Sequence, residues 1–140
     1  MIALIAVAAI LGLATSGYLL WKHYGPSRGP LICPFGQSCD FVLDSRYGRL
    51  LGFRNEILGV TYYLALLALL GFTGSGRTLL LAVLGTADPL DLAFYLSMPV
   101  ALASIVLTGI QALVLKNWCS YCLFTNAINI AIFFALGYAR

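Results

Sequence analysis

Four cysteines stand out in this chain, and they fall in two pairs. Cys33-Pro34-Phe35-Gly36-Gln37-Ser38-Cys39 separates two thiols by five residues that include a proline and a glycine, a ring that can close as a disulfide and also swing. Cys119-Ser120-Tyr121-Cys122 places two thiols three residues apart at the start of an apolar run. At a helix N-terminus, unpaired amides and the helix dipole favour a thiolate, so the second pair has the makings of a reactive dithiol. Together the pairs can relay thiol–disulfide exchange. Two plainer readings compete. Free cysteines pack inertly in apolar interiors, and four thiolates can hold a structural zinc, although the first pair lacks the usual two-to-four-residue ligand spacing. An isolated CxxC arises in redox proteins, in metal sites and by chance.

The elements that must position these thiols are written in the composition. Of 140 residues, 61% are hydrophobic and 9% charged, against roughly a quarter charged in an ordinary soluble domain. A water-soluble globule is excluded. Residues 2–21, 57–73, 92–115 and 118–139 contain no charged side chain. About 20 helical residues cross a hydrocarbon core of roughly 30 Å, and the 17-residue stretch sits at the lower limit. The expected architecture is therefore all-α: a polytopic membrane protein, one domain over residues 1–140, with a four-transmembrane-helix bundle. Its helices are expected at about 2–21, 57–73, 89–115 and 118–139, with a redox loop at 22–56. Such spans leave no room for a separate soluble domain. A scattered net charge of +3 offers no dense basic face for nucleic acid. The first stretch lacks a basic segment before Ile2 and exceeds the usual signal-peptide core, so it is expected to remain as helix 1.

The loop opens with the turn-rich Gly25-Pro26-Ser27-Arg28-Gly29-Pro30. Beyond Asp40, Leu43, Tyr47, Leu50 and Leu51 recur at helical spacing while Arg46, Arg49 and Arg54 fall elsewhere, which predicts a short amphipathic helix on the membrane surface. Residues 71–77 read as the end of helix 2 and a tight turn, and residues 78–85 fit either an interfacial helix or a continuation of helix 2. Asp88-Pro89 reads as a helix start, and Pro99 implies a kink. Counting spans puts all four cysteines on one side of the membrane. Asn126 and Asn129 would be costly against lipid and should face the bundle. Asn126 lies one turn after Cys122. With Asn55 at the mouth of helix 2, two amides flank a pocket beside the thiols; the alternative is that the asparagines only bind helices together, Asn129 above all.

These residues taken jointly resemble the vitamin K epoxide reductase family, including its prokaryotic disulfide-forming members, over most of the chain. The likeness rests on the loop cysteine pair, on Ser45-Arg46-Tyr47-Gly48-Arg49, on Asn55 with Gly59 and Tyr62-Tyr63, and on Cys119-Ser120-Tyr121-Cys122. The resemblance implies a quinone-dependent thiol–disulfide oxidoreductase. In it Cys122 faces a bound quinone, menaquinone or a relative, as electron acceptor, and Cys119 exchanges with Cys39. Cys33 meets a thioredoxin-like partner, Ser45 matches the loop serine, and Asn55 hydrogen-bonds a quinone carbonyl. Two departures are visible: the loop pair is more closely spaced than in many relatives, and Asn126 stands where the vitamin K enzymes place a quinone-contacting tyrosine. No thioredoxin-like domain is expected within or after this chain, so the partner is expected to be a separate protein. Epoxide or quinone reduction for its own sake is the same-fold alternative, and a non-catalytic membrane protein with stapling or zinc-binding cysteines the different one.

Charge and resemblance point to opposite orientations. The cysteine face carries Lys22, Arg28, Arg46, Arg49, Arg54 and Lys116, against Arg77 and Arg140 on the other face. That bias favours a cell-membrane protein with its cysteines toward the cytoplasm, or in dual orientation, whereas disulfide-forming relatives work outside the cytoplasm.

Overall fold

The computed structural model describes residues 1–26, 31–34, 39–73 and 88–140. The expectations for residues 78–85, and most of the turn at 71–77, lie outside them. Five α-helices are described: α1 (Ile2–Tyr24), α2 (Cys39–Asp44), α3 (Asn55–Gly71), α4 (Pro89–Ile110) and α5 (Ser120–Ala139). A π-helical segment, Gln111–Leu115, extends α4 and ends at Lys116, whose positive φ of 51° turns the chain. Three helices are long and apolar enough to cross a membrane: Ile2–Tyr24, Pro89–Leu115 and Ser120–Ala139. The apolar helix α3 is shorter, with 17 residues.

The three long helices α1, α4 and α5 are apolar on the outside as well as the inside. Leu4, Val7, Leu102, Ile105 and Phe134 are all exposed, which suits a lipid surround rather than water. Association in lipid rests on close packing and on polar contacts between helices, because the tails are as apolar as leucine. Both are present. The inner stripe of α1 is Ile5, Ala9, Gly12, Ser16 and Leu19, and α1 packs on α3 and α5. Gly12 accommodates the ring of Tyr63, and a Cβ at Gly59 would lie 2.8 Å from the Ser16 hydroxyl. The inner stripe of α4 includes Ala93, Ser97, Ala101 and Ser104, small residues that let it approach α5 and α3. Tyr63 Oη donates to Asn129 Oδ1 at 2.6 Å, and Asn129 Nδ2 donates to Ser104 Oγ at 2.9 Å, joining α3, α5 and α4. Asn129 thus makes the interhelical contacts of a helix-binding residue. Pro99 is accommodated within α4, which runs on to Ile110.

The segment after Cys39 differs from the amphipathic helix expected there. Helix α2 stops at Asp44, a 3-10 turn covers Arg46–Gly48, and a small hairpin pairs β1 (Arg49–Leu50) with β2 (Phe53–Arg54). Two features shape the segment after the helix. At Gly48 a Cβ would collide with the Leu43 carbonyl oxygen. Leu51 and Gly52 both have positive φ, 54° and 84°, as the two-residue hairpin turn requires. The helical spacing of Leu43, Tyr47, Leu50 and Leu51 therefore does not describe one helix. Helix 2 also starts at Asn55 rather than Ile57.

Candidate redox site

Both cysteine pairs meet at one end of the bundle. Cys33 and Cys39 are joined as a disulfide, with Cα atoms 5.9 Å apart, while Cys119 and Cys122 are free thiols. Cys39 and Cys119 are fully buried and share one apolar cluster with Val42; Leu31, Cys33, Leu115, Tyr121 and Cys122 pack around it. The loop is fastened to the helix pair directly, since Tyr121, between the two CxxC thiols, donates its hydroxyl to the Ile32 carbonyl at 3.2 Å. Asp40 accepts from the Leu31 amide at 3.0 Å. Among the described residues, no group of three or more His, Cys, Asp or Glu is placed to hold a metal ion.

Cys119 is the N-cap of α5, where its sulfur accepts the Cys122 backbone amide at 3.3 Å. Its thiol is held below the ordinary value, first by a hydrogen bond from the Cys122 side chain and further by the Cys122 and Tyr121 amides, against the opposing effects of burial and of the Glu56 charge. A thiolate at Cys119 is stabilised by the helix end it caps. Its own amide donates to Gln111 Oε1 at 3.0 Å. Gln111 is buried at the start of the π segment, so this widened turn carries the side chain that holds Cys119. Sequence reasoning missed Gln111; its one signal was a lone amide near the end of an apolar run.

Other residues singled out in the sequence take less direct positions. Asn55, the first residue of α3, donates Nδ2 to the Tyr47 carbonyl at 3.1 Å, and its buried Oδ1 has no partner among the described residues. Ser45 donates to the Val42 carbonyl at 2.6 Å, closing the end of α2. Asn126 is buried and donates to Thr108 Oγ1 at 2.9 Å, so its amide is turned to α4. Beside Asn55 lies an ion pair that the sequence reading did not anticipate. Arg54 and Glu56, 7% and 4% exposed, form an ion pair at 3.2 Å. Arg54 also reaches the Leu43 carbonyl at 3.5 Å and Asp44 at 3.8 Å.

A sequence model of the Vitamin K epoxide reductase family matches residues 3–136, nearly the whole chain. The chain belongs to the vitamin K epoxide reductase family. No individual curated protein matches it. The members of this family are oxidoreductases associated in general with quinones, and a disulfide packed against a CxxC dithiol at one end of apolar helices is an arrangement suited to that chemistry. In this vitamin K epoxide reductase homologue each pair has one fully buried cysteine, Cys39 or Cys119, and one partly exposed one, Cys33 or Cys122. The buried members lie together.

Proposed function

We propose that this protein is a quinone-linked thiol–disulfide oxidoreductase that oxidises a separate thioredoxin-like protein and so supports disulfide-bond formation. The observation that carries the reading is the shared burial of Cys39 and Cys119. A dithiol partner reduces Cys33–Cys39 through the accessible Cys33. Cys39 then exchanges with Cys119, leaving the loop oxidised and the helix pair reduced. The Cys119–Cys122 dithiol finally gives two electrons and two protons to the quinone and closes as a disulfide.

Asn55 fits a quinone headgroup. One amide hydrogen is engaged by Tyr47, which leaves the second to donate to a quinone carbonyl, and the partnerless buried Oδ1 is able to accept from the quinol hydroxyl. Ser45 acts here by shaping the end of α2, and Asn126 by fixing α5 against α4 one turn below Cys122. We read α3 as a fourth span: at 17 residues it reaches about 25 Å, close to the hydrocarbon thickness. Arg54 is engaged in a buried ion pair, yet Lys22, Arg46, Arg49 and Lys116 still bias the cysteine end toward the cytoplasm or a dual orientation. Labelling of Cys33 in gently reduced intact cells by a membrane-impermeant reagent checks that orientation, and complete labelling from outside contradicts it.

The function itself is tested by anaerobic mixing of the purified protein with a reduced thioredoxin-like protein and menaquinone, following quinone absorbance. Stoichiometric loss of quinone and of partner thiols is expected. No quinone loss, with the cysteines inert, favours a stapling role instead.

A further inference from the structure

The reaction proposed above moves protons as well as electrons. Closing a disulfide releases two protons from the thiols, and reducing a quinone consumes two. Both events belong to a site whose central cysteine is fully buried, where water does not freely serve as proton carrier. One carboxylate is enclosed at this end of the bundle. Glu56 is 4% exposed; its Oε1 accepts from Arg54 at 3.2 Å, and its Oε2 is buried with no hydrogen-bond partner among the described residues. A carboxylate oxygen left without a donor in a buried site is costly, and it is the atom on which a proton can be received. Glu56 follows Asn55 on the first turn of α3, and its charge acts on both Cys119 and Cys122.

We propose that Glu56 Oε2 is the proton acceptor and donor of this site, carrying protons from the Cys119–Cys122 dithiol to the reduced quinone. The inference rests on the quinone-linked reading. As a thiol S–H bond breaks, its electron pair stays on sulfur and the proton goes to Oε2; as quinone oxygen takes up electrons, that proton is passed to it. A second passage carries the second proton while the Cys119–Cys122 bond forms, and Glu56 ends as the carboxylate it began as. The two sulfurs are oxidised and the quinone is reduced to quinol. Arg54, itself held by Asp44 and the Leu43 carbonyl, fixes Oε1 so that Oε2 is the free atom. The other charged groups on this end, among the described residues, are Lys22, Asp40, Asp44, Arg46, Arg49, Arg54 and Lys116, of which Asp40 is engaged by the Leu31 amide.

The test separates proton transfer from simple electrostatics, because the two predict opposite signs. Glu56 opposes the thiolate at Cys119, so Glu56→Gln should shift thiolate formation, followed by ultraviolet absorbance of the full-length protein with its loop disulfide intact, to lower pH. As a bystander charge its loss would speed quinone reduction. As a proton carrier its loss should slow reduction of a soluble naphthoquinone at least tenfold despite the more available thiolate, and Glu56→Asp should recover most of the rate. Because Glu56→Gln leaves Arg54 with a weakened partner, Arg54→Met combined with Glu56→Gln removes both charges and should be equally slow. Wild-type rates in either neutral variant, or a Glu56→Asp protein as slow as Glu56→Gln, overturn the proposal. A wild-type protein with normal thiolate titration that reduces no quinone overturns the functional reading, and the proposal with it.

Discussion

The loop cysteine pair and the helix cysteine pair are built on different principles. In the loop pair, Cys39 is anchored at the start of the six-residue α2 and Cys33 is held through its neighbours Leu31 and Ile32. Cys119 and Cys122 sit on the end of a 20-residue helix, with the first thiol fixed by Gln111 and by the helix amides. A pair on a tethered loop can turn outward to a macromolecule; a pair on a helix end holds a thiolate in one place. On the proposed relay, the difference implies a division of labour: the loop would accept electrons from a partner, and the helix would deliver them at a fixed point.

The sharpest way to break that comparison is to remove the cysteines that join its halves. Cys39→Ser or Cys119→Ser should abolish transfer from partner to quinone and accumulate mixed disulfides, visible on non-reducing gels. Cys122→Ser should abolish quinone reduction while the loop still exchanges with the partner, as a thiol-trapping assay would show. Full turnover in any of these variants removes the relay.

A second test separates the polar residues near the pairs from those that bind helices. Asn129→Ala leaves Tyr63 Oη and Ser104 Oγ without their shared partner, so it should cost about 1–3 kcal/mol of stability, measured by thermal or denaturant unfolding in detergent. Its quinone affinity should change little. Asn55→Ala should do the reverse in part, weakening quinone use several-fold through a lost hydrogen bond of about 0.5–1.5 kcal/mol, measured as the quinone concentration for half-maximal rate.

These contrasts also mark where the sequence was legible. Charge-free runs located α1, α4 and α5 to within a few residues, because lipid tolerates little else in a span. Helix α3 begins earlier than its charge-free run because Glu56 is neutralised by Arg54 inside the protein, an arrangement that charge counting reads as an exposed boundary. The cysteine pairs were evident from spacing, but their meeting at Cys39 and Cys119 depends on tertiary packing around Val42, and the turn-back after α2 depends on local sterics at Gly48 and positive φ at Leu51 and Gly52. Periodicity carries no record of either. The hold of Gln111 on Cys119 needs a π turn, and the hydropathy of α4 gives no sign of one.

A smaller effect sharpens the helix side of the comparison. The thiolate is the reactive form, and the Cys119 thiol is lowered chiefly by its Cys122 neighbour. Reduced protein should therefore keep a Cys119 thiolate at pH values below the ordinary thiol range and lose it as pH falls through the lowered pKa. Cys122→Ala should move that transition to higher pH, read by ultraviolet absorbance of the thiolate.

The central claim is that electrons cross from loop to helix between two particular sulfurs, and it is tested most directly by leaving only those two. In a protein carrying Cys33→Ser and Cys122→Ser, mild oxidation in a lipid bilayer should join Cys39 to Cys119 within the chain, identified by mass spectrometry of the disulfide-linked peptides. Near-complete linkage is the predicted result. Two thiols that stay reduced, or that link only between separate molecules, would contradict the account.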